Sequence, residues 1–279
     1  VLARMHRLGF DRRTTLLNLG GGVVCDLGGF AASAYMRGVP YVNLPTTLVA
    51  QLDAALGGKV AVNTAEAKNL IGAFHQPRAV LIDPSLLRTL PLRELRCGFG
   101  EAIKAAVLGS PPLFERIERD REALLGRDGE ALSWTIAEAA RVKMRLVEAD
   151  PYEAELRRAL NFGHTIAHAL ETDRHYTGLR HGEAVAFGIA TATEVARRRR
   201  MIDPGDAERI LALLEAYRLP TRLARLDVGS VLGRLRSIRM VRGGRLLFVV
   251  PTGIGRVRIL EDLPERELGS ALASRRGRG

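Results

Sequence analysis

The segment LLNLGGGVVCDLGGFAASAYM, residues 16–36, indicates the fold class. Its apolar run from Leu16 to Leu19 is typical of a buried strand, and Val23 to Met36 has the spacing of a helix with small residues on one side. The glycines at positions 20–22 between them let backbone N–H groups approach a phosphate at the positive end of the helix dipole. The segment therefore predicts a strand, a tight turn and a helix that together can bind pyrophosphate.

The glycine turn departs from the usual dinucleotide fingerprint in two ways. Cys25 occupies the place of the third glycine, and no acidic residue lies about twenty positions further on. Glycine is also the default residue of strained turns that bind nothing. A glycine-rich structural turn therefore remains an open alternative.

Two further strands are expected, from Val39 to Leu44 and from Ala79 to Ile82. Strands that alternate with helical patterns favour a parallel, doubly wound sheet. We therefore expect an α/β domain over residues 1–90.

From Leu92 onward the pattern is mostly helical. The expected helices are Leu92 to Leu108, Leu113 to Leu125, Glu130 to Ala149, Glu153 to Glu171, Glu183 to Arg200 and Pro204 to Tyr217. Two short apolar runs, Leu246 to Val250 and Arg256 to Leu260, predict a small late β-hairpin. Residues 91–279 are thus expected to form an all-helical domain with this hairpin added.

Composition argues against several broad classes of protein. With 279 residues and 47% hydrophobic content, the chain can bury a full core. Its longest strongly apolar stretch, Ala184 to Ala192, is too short to span a bilayer, and Cys25 and Cys97 cannot build a disulfide framework. The net charge of +11 has its densest run at Arg197 to Arg200, without interleaved aromatic residues or a zinc-finger signature. We expect a soluble, cytoplasmic protein with neither a nucleic-acid nor a membrane partner.

Lysine is rare in this chain. Only four of the 42 basic side chains are lysines, namely Lys59, Lys68, Lys104 and Lys143. A compact ammonium with a tunable pKa suits a crowded phosphate or proton-transfer site better than a planar guanidinium does. The four lysines are therefore candidate site residues, and chance retention on the surface is the alternative.

Three histidines and one glutamate have the spacing of a metal site. His164 and His168 are four residues apart and share one helix face, His181 begins the next helical segment, and Glu101 lies in the run GFGEAIK at residues 98–104. Catalytic zinc takes three protein ligands from histidine and carboxylate groups. The spacing permits several triads, and it does not by itself choose among them.

Seven separated motifs, taken in order, resemble those of 3-dehydroquinate synthases. They are GGGVVCD (20–26), PTTL (45–48), QLDAALGGKVAVN (51–63), KNLIGAF (68–74), GFGEAIK (98–104), NFGHTIAHALE (161–171) and HGE (181–183). The match runs from about Gly20 to Gly255, and seven motifs in one order are a much stronger signal than any one alone. The resemblance implies a Rossmann-like domain followed by a helical domain, as in other sugar-phosphate cyclases.

The resemblance also implies roles for individual residues. The implied zinc ligands are Glu101, His164 and His181, with Co²⁺ able to replace Zn²⁺. The implied catalytic groups are Lys104, Lys143, Glu153 and His168. The implied substrate-binding residues are Asp53, Lys59, Lys68, Asn69, Lys104, Lys143, Arg157, Asn161 and His168. The implied NAD-binding residues are Gly21, Gly22, Val23, Asp26, Thr46, Thr47, Asp53, Lys59, Lys68 and Thr89. All four lysines are included, which favours the functional explanation for their retention.

The implied activity belongs to the shikimate pathway. It converts 3-deoxy-D-arabino-heptulosonate 7-phosphate, a phosphorylated sugar acid, to 3-dehydroquinate and phosphate. The steps are NAD-dependent oxidation beside zinc, elimination of phosphate, reduction and intramolecular aldol closure. A cytoplasmic homodimer is expected.

Two departures from the family bear on cofactor and phosphate binding. The family has a further stretch of nucleotide-binding domain before the glycine turn, whereas nineteen residues precede Gly20 here. We therefore expect an N-terminally truncated Rossmann-like domain with weakened NAD binding. Near the C-terminus the family places a lysine pair where this chain has Ser237 to Gly244, and Arg239 is the expected substitute.

Three alternative functions remain. A sister cyclase of the 2-epi-5-epi-valiolone or 2-deoxy-scyllo-inosose type would act on sedoheptulose 7-phosphate or glucose 6-phosphate, but Lys143, Glu153, Arg157 and Asn161 match the dehydroquinate-forming pattern better. A related metal-dependent polyol dehydrogenase has no need of the lysine cluster. A non-catalytic remnant that does not hold NAD is the alternative from a different class.

Overall fold

A small parallel sheet lies in the N-terminal part of the chain. The structure is a computed structural model and describes residues 1–63, 70–153, 155–172, 178–241, 246–261 and 263–277, without the side chains of residues 238–241. The strands are β1 (Leu16–Gly20), β2 (Tyr41–Pro45), β3 (Lys59–Val62), β4 (Ile71–Phe74), β5 (Ala79–Val80), β6 (Phe248–Gly253) and β7 (Arg256–Leu260). Strands β1, β2 and β5 are parallel neighbours in that order, which confirms the predicted parallel sheet.

Most of the remaining chain is helical. The helices are α1 (Leu2–Arg7), α2 (Gly22–Ala34), α3 (Leu92–Gly109), α4 (Pro111–Arg119), α5 (Arg121–Leu125), α6 (Gly129–Ala149), α7 (His164–Thr172), α8 (His181–Arg198), α9 (Pro204–Ala216), α10 (Val228–Val241) and α11 (Glu265–Ser274). The predicted helix from Leu113 to Leu125 is divided between α4 and α5. Strands β6 and β7 form the expected late hairpin. The domain boundary at residues 90 and 91 stays a prediction.

The predicted strand, turn and helix at the start of the sheet are confirmed. Strand β1 ends at Gly20, and α2 begins two residues later. Small residues let α2 approach its neighbours closely, since a Cβ at Gly29 would lie 2.3 Å from Cγ1 of Val60. Buried Asn18 donates a hydrogen bond to Asn43 Oδ1 at 3.0 Å and thereby ties β1 to β2. The glycine turn is thus held at the carboxyl edge of the sheet.

Two elements between β2 and β5 add to the predicted ones. Residues Ala50–Ala54 form a single π-helical turn, and β3 pairs antiparallel with β4. Both are too short to produce a periodic hydrophobic pattern in the sequence. They carry Asp53 and Lys59, which line the same cavity as the glycine turn.

The predicted helix from Glu153 to Glu171 is wrong. Residues Leu156–Asn161 form a short 3₁₀ helix, and α7 begins only at His164. Gly163 between them has a φ of +78°, and a Cβ there would lie 2.8 Å from the carbonyl oxygen of Val185. The interruption therefore lets the first turn of α7 contact the backbone of α8.

The main hydrophobic core surrounds α3 and α8. Residues 184–187 of α8 are fully buried, as is Phe99 of α3. Leu48, Leu52 and Leu87 from the N-terminal part belong to the same core, so packing is continuous between the sheet region and the helices. Among the described helices, none combines the length and the apolar character that crossing a bilayer requires.

Candidate active site

A cavity of about 550 Å³ lies where the glycine turn, the π-helical turn, α3, α6, α7 and the start of α8 meet. Most of the residues assigned to the site from the sequence line it. These are Gly21, Gly22, Val23, Asp26, Thr47, Asp53, Lys59, Lys104, Lys143, Arg157, Asn161, His164, His168 and His181. The fold therefore brings residues from six of the seven motifs, together with Lys143 and Arg157 from between them, into one space.

A few assigned residues lie elsewhere. Thr46 precedes the lining residue Thr47, and the exposed Thr89 ends a 3₁₀ turn without lining the cavity. Lys68, Asn69 and the Arg239 side chain lie outside the described residues. Their assigned roles stay predictions.

Glu101, His164 and His181 meet at one side of the cavity. Nε2 of His181 is 3.1 Å and Nε2 of His164 is 3.4 Å from Oε1 of Glu101. Asp53 completes a cluster in which one ligand atom from each of the four residues lies within 4.8 Å of the others. The sequence assigned Asp53 to substrate and NAD, and its place beside the histidines was not expected.

The charges of this cluster fit a metal cation. Burial and the Lys104 ammonium lower the pKa of His164 to about 3, so its ring is neutral and offers a lone pair. Burial opposes protonation of His181, but hydrogen bonds to Glu101 and Glu171 raise its pKa to about 10. The carboxylates thus hold a positive charge at His181, and a bound cation would take the place of that proton. Two imidazoles and a carboxylate are the donor set of catalytic zinc.

A carboxylate missed in the sequence orients His181. Oε1 of Glu171, near the end of α7, is 3.1 Å from Nδ1 of His181, which directs Nε2 toward Glu101. Metal-binding histidines usually donate their second ring N–H to such a carboxylate. Glu171 is seven residues after His164 and shares its helix face, and this spacing is the signal that the sequence offered.

Close helix packing places the three donors. A Cβ at Gly182 would lie 1.9 Å from the carbonyl oxygen of Cys97, and one at Gly100 would lie 2.5 Å from the carbonyl oxygen of Gly182. Likewise, a Cβ at Gly188 would lie 1.9 Å from the carbonyl oxygen of Gly163. Each donor therefore adjoins a glycine that lets its helix touch another backbone.

The ammonium groups of Lys104 and Lys143 both lie beside the carboxylate of Asp53, at 3.9 and 2.6 Å from its Oδ1. Nζ of Lys143 donates to Oδ1 and to the backbone oxygen of Asp53, both at 2.6 Å, and Nζ of Lys104 is 2.6 Å from Oε2 of Glu101. Burial lowers the pKa of Lys143, although Asp53 opposes the change. Burial also acts on Lys104, but Glu101 and Asp53 outweigh it and raise the pKa. Of the two, Lys143 is the better proton donor.

Lys59, Glu153 and Asn161 form a second polar cluster. Nζ of Lys59 contacts Oε2 of Glu153, whose Oε1 accepts a hydrogen bond from Asn161 Nδ2 at 2.7 Å. Burial lowers the pKa of Lys59 against the opposing effect of Glu153. Arg157 is almost fully buried, and its guanidinium donates to the backbone oxygens of Pro151 and Gly57 at 2.6 and 2.7 Å.

His168 and Asp26 complete the polar lining. The His168 ring lies edge-on to His164 with 5.4 Å between centroids, as the four-residue spacing predicts. Asp26, the fifth residue of α2, lies near Asp53, and burial together with that charge raises its pKa to about 7. Helix α2 thus presents a weakly acidic group to the cavity.

Comparison with known protein families gives two matches that together cover most of the chain. The family model described as 3-dehydroquinate synthase N-terminal matches residues 1–97, and the one described as 3-dehydroquinate synthase C-terminal matches residues 98–238. Among curated relatives, 2-epi-valiolone synthase from Actinosynnema mirum is 50% identical over 94% of this chain and 69% of its own length. The 3-dehydroquinate synthase from a Synechococcus species is 47% identical over 96% of this chain and 72% of its own length.

Two solved structures share the fold. A 2-epi-5-epi-valiolone synthase from Streptomyces hygroscopicus, with NAD⁺ and Zn²⁺ bound, aligns with a TM-score of 0.92 and 32% identity, covering 98% of this chain and 76% of the other. A 2-deoxy-scyllo-inosose synthase complexed with carbaglucose-6-phosphate, NAD⁺ and Co²⁺ aligns with a TM-score of 0.87 and 26% identity, covering 98% and 77%. The similarity therefore extends over both the sheet and the helices.

Proposed function

Because this chain belongs to the 3-dehydroquinate synthase family within the sugar-phosphate cyclases, we propose that it converts 3-deoxy-D-arabino-heptulosonate 7-phosphate to 3-dehydroquinate and phosphate. The observation that carries the proposal is the convergence of Lys59, Lys104 and Lys143 on one cavity beside a histidine and carboxylate cluster. A substrate with both a carboxylate and a phosphate needs several cationic donors in a small volume.

Zinc and NAD⁺ are the proposed cofactors. Glu101, His164 and His181 would hold the metal, with Asp53 within reach, and Gly21, Gly22, Val23, Asp26 and Thr47 would contact NAD⁺. When bound, zinc polarises a substrate hydroxyl and NAD⁺ accepts and returns a hydride. The bound NAD⁺, Zn²⁺ and Co²⁺ of the related structures support this choice.

The protein side chains supply charge and proton transfer. Lys104 keeps Glu101 ionised, since that ammonium outweighs burial and holds the pKa of Glu101 well below its usual range. Lys143, with its lowered pKa, is placed to give or take a proton at Nζ. Lys59 and Asn161, joined by Glu153, offer donors for an anionic group of the substrate. These roles amount to positioning and electrostatic stabilisation.

The direct test supplies 3-deoxy-D-arabino-heptulosonate 7-phosphate to the purified chain with NAD⁺ and zinc. We expect stoichiometric release of phosphate and formation of 3-dehydroquinate, with no net NADH because the hydride returns within the turnover. Phosphate release should stop when a chelator removes zinc and resume when zinc is added back. A chain that binds neither NAD⁺ nor zinc in a calorimetric titration would contradict the proposal and support a non-catalytic remnant.

A sister cyclase is the second candidate, because a relative at 50% identity is a 2-epi-valiolone synthase. The discriminating measurement compares kcat/KM for heptulosonate phosphate, sedoheptulose 7-phosphate and glucose 6-phosphate. The first substrate alone carries a carboxylate, a group that the lysine ammonium groups of the cavity can bind. A kcat/KM for sedoheptulose 7-phosphate that exceeds the heptulosonate value would assign the chain to the valiolone type instead.

A further inference from the structure

A second cleft, of about 710 Å³, lies between the β6–β7 hairpin, the end of α8 and the C-terminal parts of α3 and α6. It shares no lining residue with the first cavity but adjoins three of the same elements, one of which is α3 with Lys104 in the first cavity and Leu108 in the cleft. Helix α6 contributes Lys143 to the first cavity and Leu146, almost one turn later, to the cleft. The 3₁₀ helix Leu156–Asn161 likewise contributes Asn161 to one and Ala159 to the other. The cavity and the cleft are therefore lined by different residues of the same elements.

Three arginines line this cleft. Arg256 and Arg258 alternate on β7 and so share one face of the hairpin, and Arg200 follows the end of α8. All three are exposed, and within the described ranges their side chains make no ion pair or hydrogen bond. Asp206 lies near the hairpin turn, where its Oδ2 accepts a hydrogen bond from the N–H of Ile254, and it forms no ion pair with Arg256.

The four arginines at the end of α8 differ in whether they have a carboxylate partner. Arg197 and Arg198 contact Glu194, and Arg199 contacts Glu267 through Nε and Nη2. Arg200, the fourth of the run, lines the cleft and has no carboxylate partner in the described part of the chain. The pairing of its neighbours shows that carboxylates are near this helix end, and the cleft is where the positive charge is left uncompensated.

Most of the remaining lining of the cleft is apolar. It includes Leu108, Leu146 and Met201, and Thr252 adds one hydroxyl group. The hairpin turn is anchored to α3 by a hydrogen bond from the Gly255 N–H to the oxygen of Val107 at 3.0 Å, so this wall is firmly held. A small hydrated ion would leave the apolar walls in contact with water. The chemistry of the walls therefore fits an anionic group attached to an apolar body.

We propose that this cleft is a second binding site, which takes an organic anion whose phosphate or carboxylate faces the three arginines and whose apolar part contacts Leu108, Leu146 and Met201. Guanidinium groups bind both kinds of anion through paired N–H donors, so the arginines alone do not choose between them. The proposal does not depend on the function proposed for the first cavity.

Calorimetric titration with phenyl phosphate, benzoate and inorganic phosphate tests the site without turnover. We expect a binding event for phenyl phosphate or benzoate that the double variant Arg256→Gln with Arg258→Gln weakens at least tenfold. Arg200→Gln, on a different element, should weaken the same event. Inorganic phosphate should bind at this site at least threefold more weakly than phenyl phosphate, because it cannot use the apolar walls. A preference for phenyl phosphate or for benzoate identifies the anion class.

The matched control is Arg225→Gln with Arg234→Gln, which removes the same charge from exposed positions outside the cleft. It should leave the binding event unchanged. If the parent shows no event that the cleft variants lose, or if the control loses as much affinity, the site does not exist as proposed. Melting temperatures equal to the parent's confirm that the variants are folded.

Discussion

At the scale of single residues, Glu171 has the clearest consequence for metal binding. Its carboxylate holds Nδ1 of His181 and so fixes the ring with Nε2 toward the donor cluster. We expect Glu171→Gln to weaken zinc binding by roughly tenfold or more, because the amide does not favour one ring tautomer as a carboxylate does. Competition against a chromophoric chelator measures the affinity.

The control for this variant is Glu208→Gln, a change at an exposed position of α9. It should leave the zinc dissociation constant unchanged. If Glu171→Gln binds zinc as tightly as the parent, Glu171 does not orient the ligand. An altered visible spectrum of the cobalt-loaded variant would report a changed ligand geometry independently of affinity.

A substitution of Lys143 tests whether the few lysines of this chain are retained for function. Its ammonium is buried and donates two hydrogen bonds to Asp53. Lys143→Arg keeps the charge but replaces a compact group of lowered pKa with a wider one that does not release its proton. We expect phosphate release from heptulosonate phosphate to slow at least tenfold, about 1.4 kcal/mol. The exposed Arg276→Lys should have no effect, and a parent-like rate for Lys143→Arg would favour chance retention of the lysine.

The sequence identified most of the candidate site but not its contacts. Glu101, His164 and His181 adjoin recognisable glycines, so pattern and resemblance were enough to select them. Asp53 was assigned to substrate and NAD rather than to the donor cluster, because its position depends on a π-helical turn. Glu171 was missed, because its role depends on the distance between α7 and α8. Sequence spacing reports the face of a helix but not which helix lies opposite.

At the scale of elements, the contact between the start of α7 and α8 depends on glycine. A Cβ at Gly188 would lie 1.9 Å from the carbonyl oxygen of Gly163, next to His164. We expect Gly188→Ala to push the two backbones apart, to lower the free energy of unfolding by about 1–3 kcal/mol and to weaken zinc binding. Urea denaturation and a zinc titration measure the two effects.

Gly233→Ala is the matched control within a helix. A Cβ at Gly233 of α10 would have no atom within 4 Å. The same substitution there should stabilise the protein by about 0.5–1 kcal/mol through helix propensity. If Gly188→Ala behaves like Gly233→Ala, close packing of α7 against α8 is not required.

Element prediction succeeded where periodic patterns are long. The bounds of α3, α6, α8 and α9 are within two residues of those expected, because each buries an apolar face over three turns or more. The helix expected over Glu153 to Glu171 failed at Gly163, whose positive φ serves a tertiary contact. Such a break is set by the neighbouring helix rather than by local propensity.

At the scale of the whole molecule, Glu194 connects α8 to the C-terminal end of α11. The buried carboxylate accepts hydrogen bonds from Arg197 and Arg198, and Arg275 donates to it at 3.1 Å. Burial favours protonation of Glu194, but the arginines outweigh it and lower the pKa to about 2. The ionised carboxylate therefore contributes to the stability of the native state.

The sign of the pH dependence follows from this lowered pKa. A carboxyl group with a lower pKa when folded stabilises fully above its unfolded value of about 4.5, and the contribution disappears as the pH falls toward 2. Glu194→Gln leaves three guanidinium groups without their counter-charge. We expect it to lower the free energy of unfolding at pH 7 by about 1–3 kcal/mol.

Urea denaturation of parent and Glu194→Gln between pH 7 and pH 3 measures this contribution. The difference between them should stay constant down to about pH 5 and fall to less than half by pH 3, because the parent carboxylate becomes protonated on unfolding there. Glu148→Gln, at an exposed position of α6, should show no pH-dependent difference. A Glu194→Gln deficit that is independent of pH would show that shape and hydrogen bonding, rather than charge, hold the end of α11 against α8.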